Sequence, residues 1–240
     1  MPLPTTPHVP TIDLASQRLV IYGPPKVGKS TFATQNKDAL VIDCDNNGTA
    51  FLNCLRVPVF NWDELKKTLG EVAKERQDGN HRFKTIILDT VDGAYQFCRQ
   101  AVCAANGVSH ESEDKAFGRL WDLVKTEWMK MVAYTQSLGV GLWMVSHSTQ
   151  KEVKIGGVKR TVTTTSLSGT AQRMIMALAD EIIYIESEED GSRTLYLIPQ
   201  DGLECGGRLA RFGLDKNINF RQESEAYAKL IEAIKPNKEN

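Results

Sequence analysis

Apolar residues come along this chain in short runs separated by amphipathic stretches. Arg18-Leu-Val-Ile-Tyr22, Ala39-Leu-Val-Ile-Asp43, Thr85-Ile-Ile-Leu88 and Val140 to Val145 are strand-sized and rich in branched side chains, so they predict buried strands. Val57-Pro-Val-Phe60 predicts a short edge strand, because its proline has no N–H to donate to a neighbouring strand. Between these runs, spacings of three and four predict helices over Ser30–Gln35, Trp62–Arg76, 92–105 and 114–138. Asn61 is placed to cap the second, with Glu64 three residues on, and Leu65, Leu69, Val72 and Ala73 form its inward stripe. Phe117, Leu120, Trp121, Val124, Trp128, Met131 and Val132 are assigned to one buried face of the last.

A polar, Thr-rich stretch from Ser148 to Gly169 breaks the alternation. A helix over 170–179, a strand over Glu181–Ile185, a turn at Asp190-Gly191 and a strand over Thr194–Ile198 follow, and the aspartate-glycine pair signals a hairpin. A helix near Glu223–Ile234 ends the pattern. Strand-helix alternation with a terminal β-hairpin predicts one α/β domain over 15–236, with a mainly parallel central sheet flanked by helices. Four prolines in the first ten residues make 1–14 a tail, and 237–240 form another.

Composition narrows the functional classes. With 41% hydrophobic and 25% charged residues, extended disorder is excluded for most of the chain. The longest apolar run, Leu138 to Val145, falls short of the ~18 residues of a membrane helix. The N-terminus has neither the basic start nor the apolar core of a signal peptide. Five cysteines without a C-x-x-C pair argue against a disulfide framework, and a reducing cytoplasm is the expected location. The formal net charge is −1, so any nucleic acid must be met by a local basic patch.

The chemistry is concentrated in Gly23-Pro24-Pro25-Lys26-Val27-Gly28-Lys29-Ser30, which matches G-x-x-x-x-G-K-[ST] and is followed by Thr31. It lies after a predicted strand and opens a predicted helix, where backbone N–H groups can curl around phosphate oxygens. Lys29 then reaches the β- and γ-phosphates of ATP, and the Ser30 hydroxyl ligates Mg2+. Asp89, at the carboxyl end of a strand, is the natural second holder of the metal shell. Asp92 competes for that role but is expected to cap the next helix. Asp43 and Asp45 are both candidates for a catalytic carboxylate, sharing one face if their strand extends that far, while one of them capping the turn at Asn46-Asn47-Gly48 is the plainer alternative.

The order P-loop, Ile42-Asp43-Cys44-Asp45, Leu88-Asp89-Thr90 and Ser146-His147 resembles the RecA/RadA core, an additional-strand P-loop NTPase. The segments GPPKVGKST, ILDTVDGAY and WMVSHSTQKEV are most similar to small phage-encoded RecA-like proteins of the Sak annealing-recombinase superfamily. This resemblance implies a Mg2+-dependent ATPase that binds single-stranded DNA and promotes annealing or strand pairing in a bacterial host's cytoplasm. It implies self-assembly, with ring, filament and monomer left open, and a phage single-strand-binding protein as a further partner. By the same resemblance Asp45 stands where a glutamate usually orients the attacking water. His147 stands near the polar residue that senses the γ-phosphate, and Arg208 or Arg211 is placed to complete a neighbouring subunit's site.

Ser148–Arg173, directly after His147, holds Lys151, Lys154, Lys159, Arg160 and Arg173 against Glu152 alone. It is read as a flexible loop that contacts the DNA backbone through Lys151, Lys154, Lys159 and Arg160, with a solvated surface hairpin as the plainer alternative. It lacks aromatic residues, so base stacking is not supplied there. Two other functions compete: an ATP-switched helicase loader or adaptor, and a small-molecule phosphotransferase.

Overall fold

Every predicted strand forms, and the sheet they build explains why their runs are apolar on both faces. The computed structural model describes residues 12–45, 47–113, 118–167 and 169–234, without the side chain of Ile155. Most of the expected tails and Phe117 therefore lie outside the described residues. In chain order the elements are β1 (Arg18–Gly23), α1 (Lys29–Ala33), β2 (Ala39–Asp43), β3 (Leu55–Pro58), α2 (Trp62–Gln77), β4 (Thr85–Asp89), α3 (Val91–Ala105) and α4 (Arg119–Ser137). Then follow β5 (Gly141–Ile155), β6 (Val158–Thr165), α5 (Gly169–Leu178), β7 (Glu181–Ser187), β8 (Arg193–Tyr196), β9 (Gly206–Gly207), β10 (Ile218–Phe220) and α6 (Ala226–Ala233).

The sheet runs β10-β8-β7-β1-β5-β4-β2-β3, with β6 paired to β5 and β9 to β7. From β7 to β3 every neighbouring pair is parallel, and the antiparallel pairs lie at the β10 end and in two side branches. Side chains alternate across the sheet. Val20, Tyr22, Ile42, Ile86, Leu88 and Met144 pack on one face with residues of α2 to α5, and Leu19, Ile21, Val41, Ile87, Trp143 and Ile183 on the other with residues of α1 and α6. Each fully buried aliphatic side chain contributes roughly 1.5–3 kcal/mol. The result is a three-layer α/β/α domain of the P-loop NTPase type.

Helix ends follow the expected chemistry in part. Asn61 Oδ1 accepts from Glu64 N at 2.9 Å and caps α2, whose Leu65, Leu69 and Val72 are buried. α4 begins at Arg119, after Gly118 in the left-handed region. Leu120, Val124, Trp128, Met131 and Val132 are buried as expected, but Trp121 is 45% exposed. It stands beside the Arg99 guanidinium, 5.4 Å from it, and is not part of the core.

The largest departure is the polar stretch after His147. It is no loop: β5 continues through it and returns as β6, with eight registered pairs from Ser148↔Thr165 to Ile155↔Val158. Gly156 and Gly157, at φ 58° and 85°, make the two-residue turn, whose left-handed positions glycine enters without strain. Thr-rich, half-solvated strands lack an apolar alternation, so hydropathy does not announce them.

Candidate nucleotide site and the adjoining arm

Parallel strands end at a common edge, and there the sheet gathers the motif residues. Gly23 of β1 pairs with His147 of β5, and Asp89 of β4 with Asp43 of β2. In space the strand between β1 and β4 is β5, and β2, which comes between them in the chain, lies on the far side of β4. The additional-strand arrangement holds, with β5 as the inserted strand.

The loop from Gly23 to Gly28 curls because two residues take positive φ, Lys26 at 63° and Gly28 at 96°. Successive right- and left-handed residues turn backbone N–H groups toward one point, an anion cradle. Lys29 begins α1 and is only 6% exposed. Its ammonium donates to Gly23 O at 3.0 Å and Pro24 O at 2.8 Å, folding back over the loop. Burial lowers its pKa, while Asp89, Asp92 and Asp45 pull the other way.

Asp89 is buried, and its Oδ2 has no hydrogen-bond partner. Burial pushes its carboxyl up to about 6, and the Asp43 and Asp45 charges add to that, while the Ser30 hydroxyl and Lys29 oppose it. An orphaned carboxylate oxygen beside a hydroxyl and an anion cradle fits a magnesium-bound polyphosphate. Ser30 and Asp89 would hold the metal, with phosphate and water oxygens supplying the rest of its oxygen ligands. Among the described residues no cluster of three protein ligands exists, and such a shell does not need one.

The two other carboxylates part company. β2 ends at Asp43, so Asp43 and Asp45 do not share a strand face. Asp43 is 1% exposed and accepts from Thr49 N, Thr49 Oγ1, Asp45 N and Arg56 Nη2 at 3.1, 2.5, 3.1 and 3.1 Å. Burial opposes its ionisation, but these donors together hold it below the usual carboxylate range. Asp43 therefore organises the turn, and Asp45 is exposed. Gly93 lets α3 approach this turn, since a Cβ there would lie 2.3 Å from Cys44 O.

Asp92 does not cap α3. Thr90 does, accepting from Gly93 N at 3.2 Å. Asp92 instead accepts from His147 N at 3.3 Å and from the Ser166 hydroxyl at 2.6 Å. Ser166 N donates to His147 O at 2.7 Å, so one carboxylate ties both roots of the β5–β6 arm to the metal-side helix. His147 Nδ1 is buried and unpartnered. The sequence gives no signal for this clasp, because its three members are 19 to 74 positions apart.

A family profile described as an AAA domain matches residues 15–209. The chain belongs to this AAA-domain family of P-loop ATPases. It is also similar to an uncharacterised SPbeta prophage-derived protein, YorG, of Bacillus subtilis strain 168, at 24% identity over 145 residues. That match covers 60% of this chain and 44% of the relative, so the chain spans under half of the curated relative's length.

On this AAA-domain protein the four arm cations fall on both faces of the hairpin. Lys154 and Lys159 are directly opposed on one face, while Lys151 and Arg160 lie on the other. Lys159 pairs with Glu152 at 3.1 Å and Arg160 with Asp201 at 2.8 Å, both largely exposed. Lys151 donates to Gln172 Oε1 at 2.5 Å. Exposed pairs of this kind are worth little and exchange readily.

Arg208 is joined to Asp180, which also takes a two-pronged contact from Arg18 at 2.9 and 2.6 Å. Arg18 starts β1 and Gly23 ends it, so this cluster lies roughly 17 Å from its own P-loop. Arg211 is exposed on a short helical turn. All five cysteines are free, and among the described residues no helix is long and apolar enough to cross a membrane.

Proposed function

We propose that this protein is a Mg2+-dependent ATPase that binds single-stranded DNA and promotes annealing or strand pairing, as a phage recombinase does. The single observation that carries the reading is β5. One strand passes between the P-loop strand and the Asp89 strand, presents His147 at the nucleotide edge, and continues directly as the basic arm.

The roles follow from position. Lys29 and the N–H groups of Lys26 to Thr31 hold the β- and γ-phosphates, and Ser30 and Asp89 hold the metal shell. Bound magnesium would neutralise charge on the transferred phosphoryl oxygens. Asp45, exposed at the end of β2, orients the attacking water, and Asp43 keeps its turn in place. His147 and the Asp92 clasp report phosphate occupancy to the arm. Arg208, remote from its own site, and the exposed Arg211 are offered to a neighbouring subunit in a ring or filament.

A second reading is favoured by the arm itself. Its tip residue Val158 is 60% exposed, and two of its cations are already ion-paired, which suits a protein-binding arm on an ATP-switched adaptor. Changing Lys151, Lys154, Lys159 and Arg160 together to Ala separates the two. Each phosphate released from contact lowers the single-strand salt slope by about 0.7, so DNA binding weakens for all sequences and the slope flattens by about one to three units. Parental DNA affinity with an unchanged slope contradicts the DNA-binding arm and leaves the adaptor.

A further inference from the structure

A second cation lies against the phosphate loop, and no motif accounts for it. β8 runs antiparallel to β7, so its first residue, Arg193, reaches the sheet edge where β1 enters the P-loop. A Cβ built on Gly28 would stand 3.3 Å from Arg193 Nη1 and 3.6 Å from Glu223 Oε1. Arg193 donates to Glu223 Oε1 at 2.5 Å, and the two side chains are 24% and 45% exposed. Glu223 is itself held over α1: Gln35 Nε2 donates to Glu223 O at 2.6 Å, and Gln35 Oε1 accepts from Tyr227 N of α6 at 3.1 Å.

A guanidinium beside an anion cradle, with a carboxylate as its only ion-pair partner among the described residues, is a poised arrangement. Arginine matches phosphate oxygens with a planar fork of donors, and a polyphosphate carries more charge than one carboxylate. We propose that Arg193 is a phosphate-chain ligand acting within its own subunit, and that Glu223 is the competing anion it leaves when nucleotide binds. This rests on the P-loop reading above. It also makes the segment before α6 responsive to occupancy, because the ion pair given up is the one that joins that segment to β8.

The two residues then act with opposite signs, and the double variant separates a shared contact from two independent charge effects. Mg-ADP is titrated by calorimetry into the full chain and its variants. Arg193→Ala is expected to lower affinity about 10- to 100-fold, the loss of a charge-assisted hydrogen bond. Glu223→Gln, which removes the competitor, is expected to raise affinity several-fold. The double variant is expected to bind like Arg193→Ala alone, since without Arg193 there is nothing for Glu223 to compete over. If Glu223→Gln weakens binding, or Arg193→Ala binds like the parent, the proposal is overturned. Lys29→Ala separates the failures: if it abolishes binding while Arg193→Ala does not, Arg193 alone is wrong, whereas full binding by Lys29→Ala overturns the P-loop reading too.

Discussion

Asp89→Asn should make the free protein more stable while removing its response to nucleotide. Burial raises the Asp89 carboxyl to about 6, against an ordinary value of 3.8, so the folded chain binds this proton more tightly than the unfolded chain does. Stability from this group is therefore lost as pH rises from about 4 to 6 and stays lost above. Two pKa units correspond to roughly 3 kcal/mol of strain at pH 7.5. Asparagine keeps the shape and removes the charge, but its buried amide gives back roughly 1–2 kcal/mol. A net gain of about 1–2 kcal/mol raises Tm by roughly 2–8 °C in a chain of this size. At pH 4.5 the parent carboxyl is itself protonated, so the advantage should largely vanish. Adding Mg-ADP at pH 7.5 should invert the order, because only the parent gains binding energy. Thermal unfolding at both pH values, with and without Mg-ADP, reads all of this. A variant less stable than the parent by the same amount at both pH values would refute the reasoning.

Lys29→Ala should fold with stability within about 1 kcal/mol of the parent, since its two carbonyl contacts are offset by a buried ammonium, and lose Mg-ATP binding at least 100-fold by calorimetry. Asp43 and Asp45 should fail differently. Asp43→Asn costs about 1–3 kcal/mol in denaturant unfolding because four donors converge on it, and since its folded pKa is depressed that cost shrinks as pH falls below about 4. Asp45→Asn should keep Mg-ATP affinity and stability but lower single-turnover hydrolysis at least 100-fold. Asp92→Asn should leave ATP affinity within about threefold and cut the ATP dependence of single-stranded DNA affinity by about 1–2 kcal/mol, measured by fluorescence anisotropy with and without nucleotide.

What could be read along the chain was whatever local pattern controls. Continuous apolar runs marked β1, β2, β4 and the first half of β5, because strands covered on both faces must be apolar throughout. The P-loop was legible because its chemistry is carried by consecutive residues. The arm is not legible as ordered structure because Thr-rich strands on a solvated hairpin carry no hydrophobic period. Gly156-Gly157 was the one signal available, and a glycine pair between β-branched runs does announce a turn. Asp92 reads as a cap because an Asp in a first helical turn has two uses, and only the fold brings Ser166 and His147 to it. Trp121 departs for a similar reason: the spacing places it on the inward side of α4, but in the fold it faces Arg99. Arg193 is 165 positions from Gly28 and belongs to a strand whose antiparallel direction is visible only in the sheet.

ATP turnover with and without single-stranded DNA tests the central claim most directly. The strand that joins the nucleotide edge to the arm predicts slow basal hydrolysis, absent in Lys29→Ala, that single-stranded DNA stimulates. Asp92→Asn should hydrolyse ATP at the basal rate and lose most of that stimulation. Turnover that depends on Lys29 but is the same with and without DNA, over a range in which DNA binding is saturated, would contradict the coupling that the account places in β5.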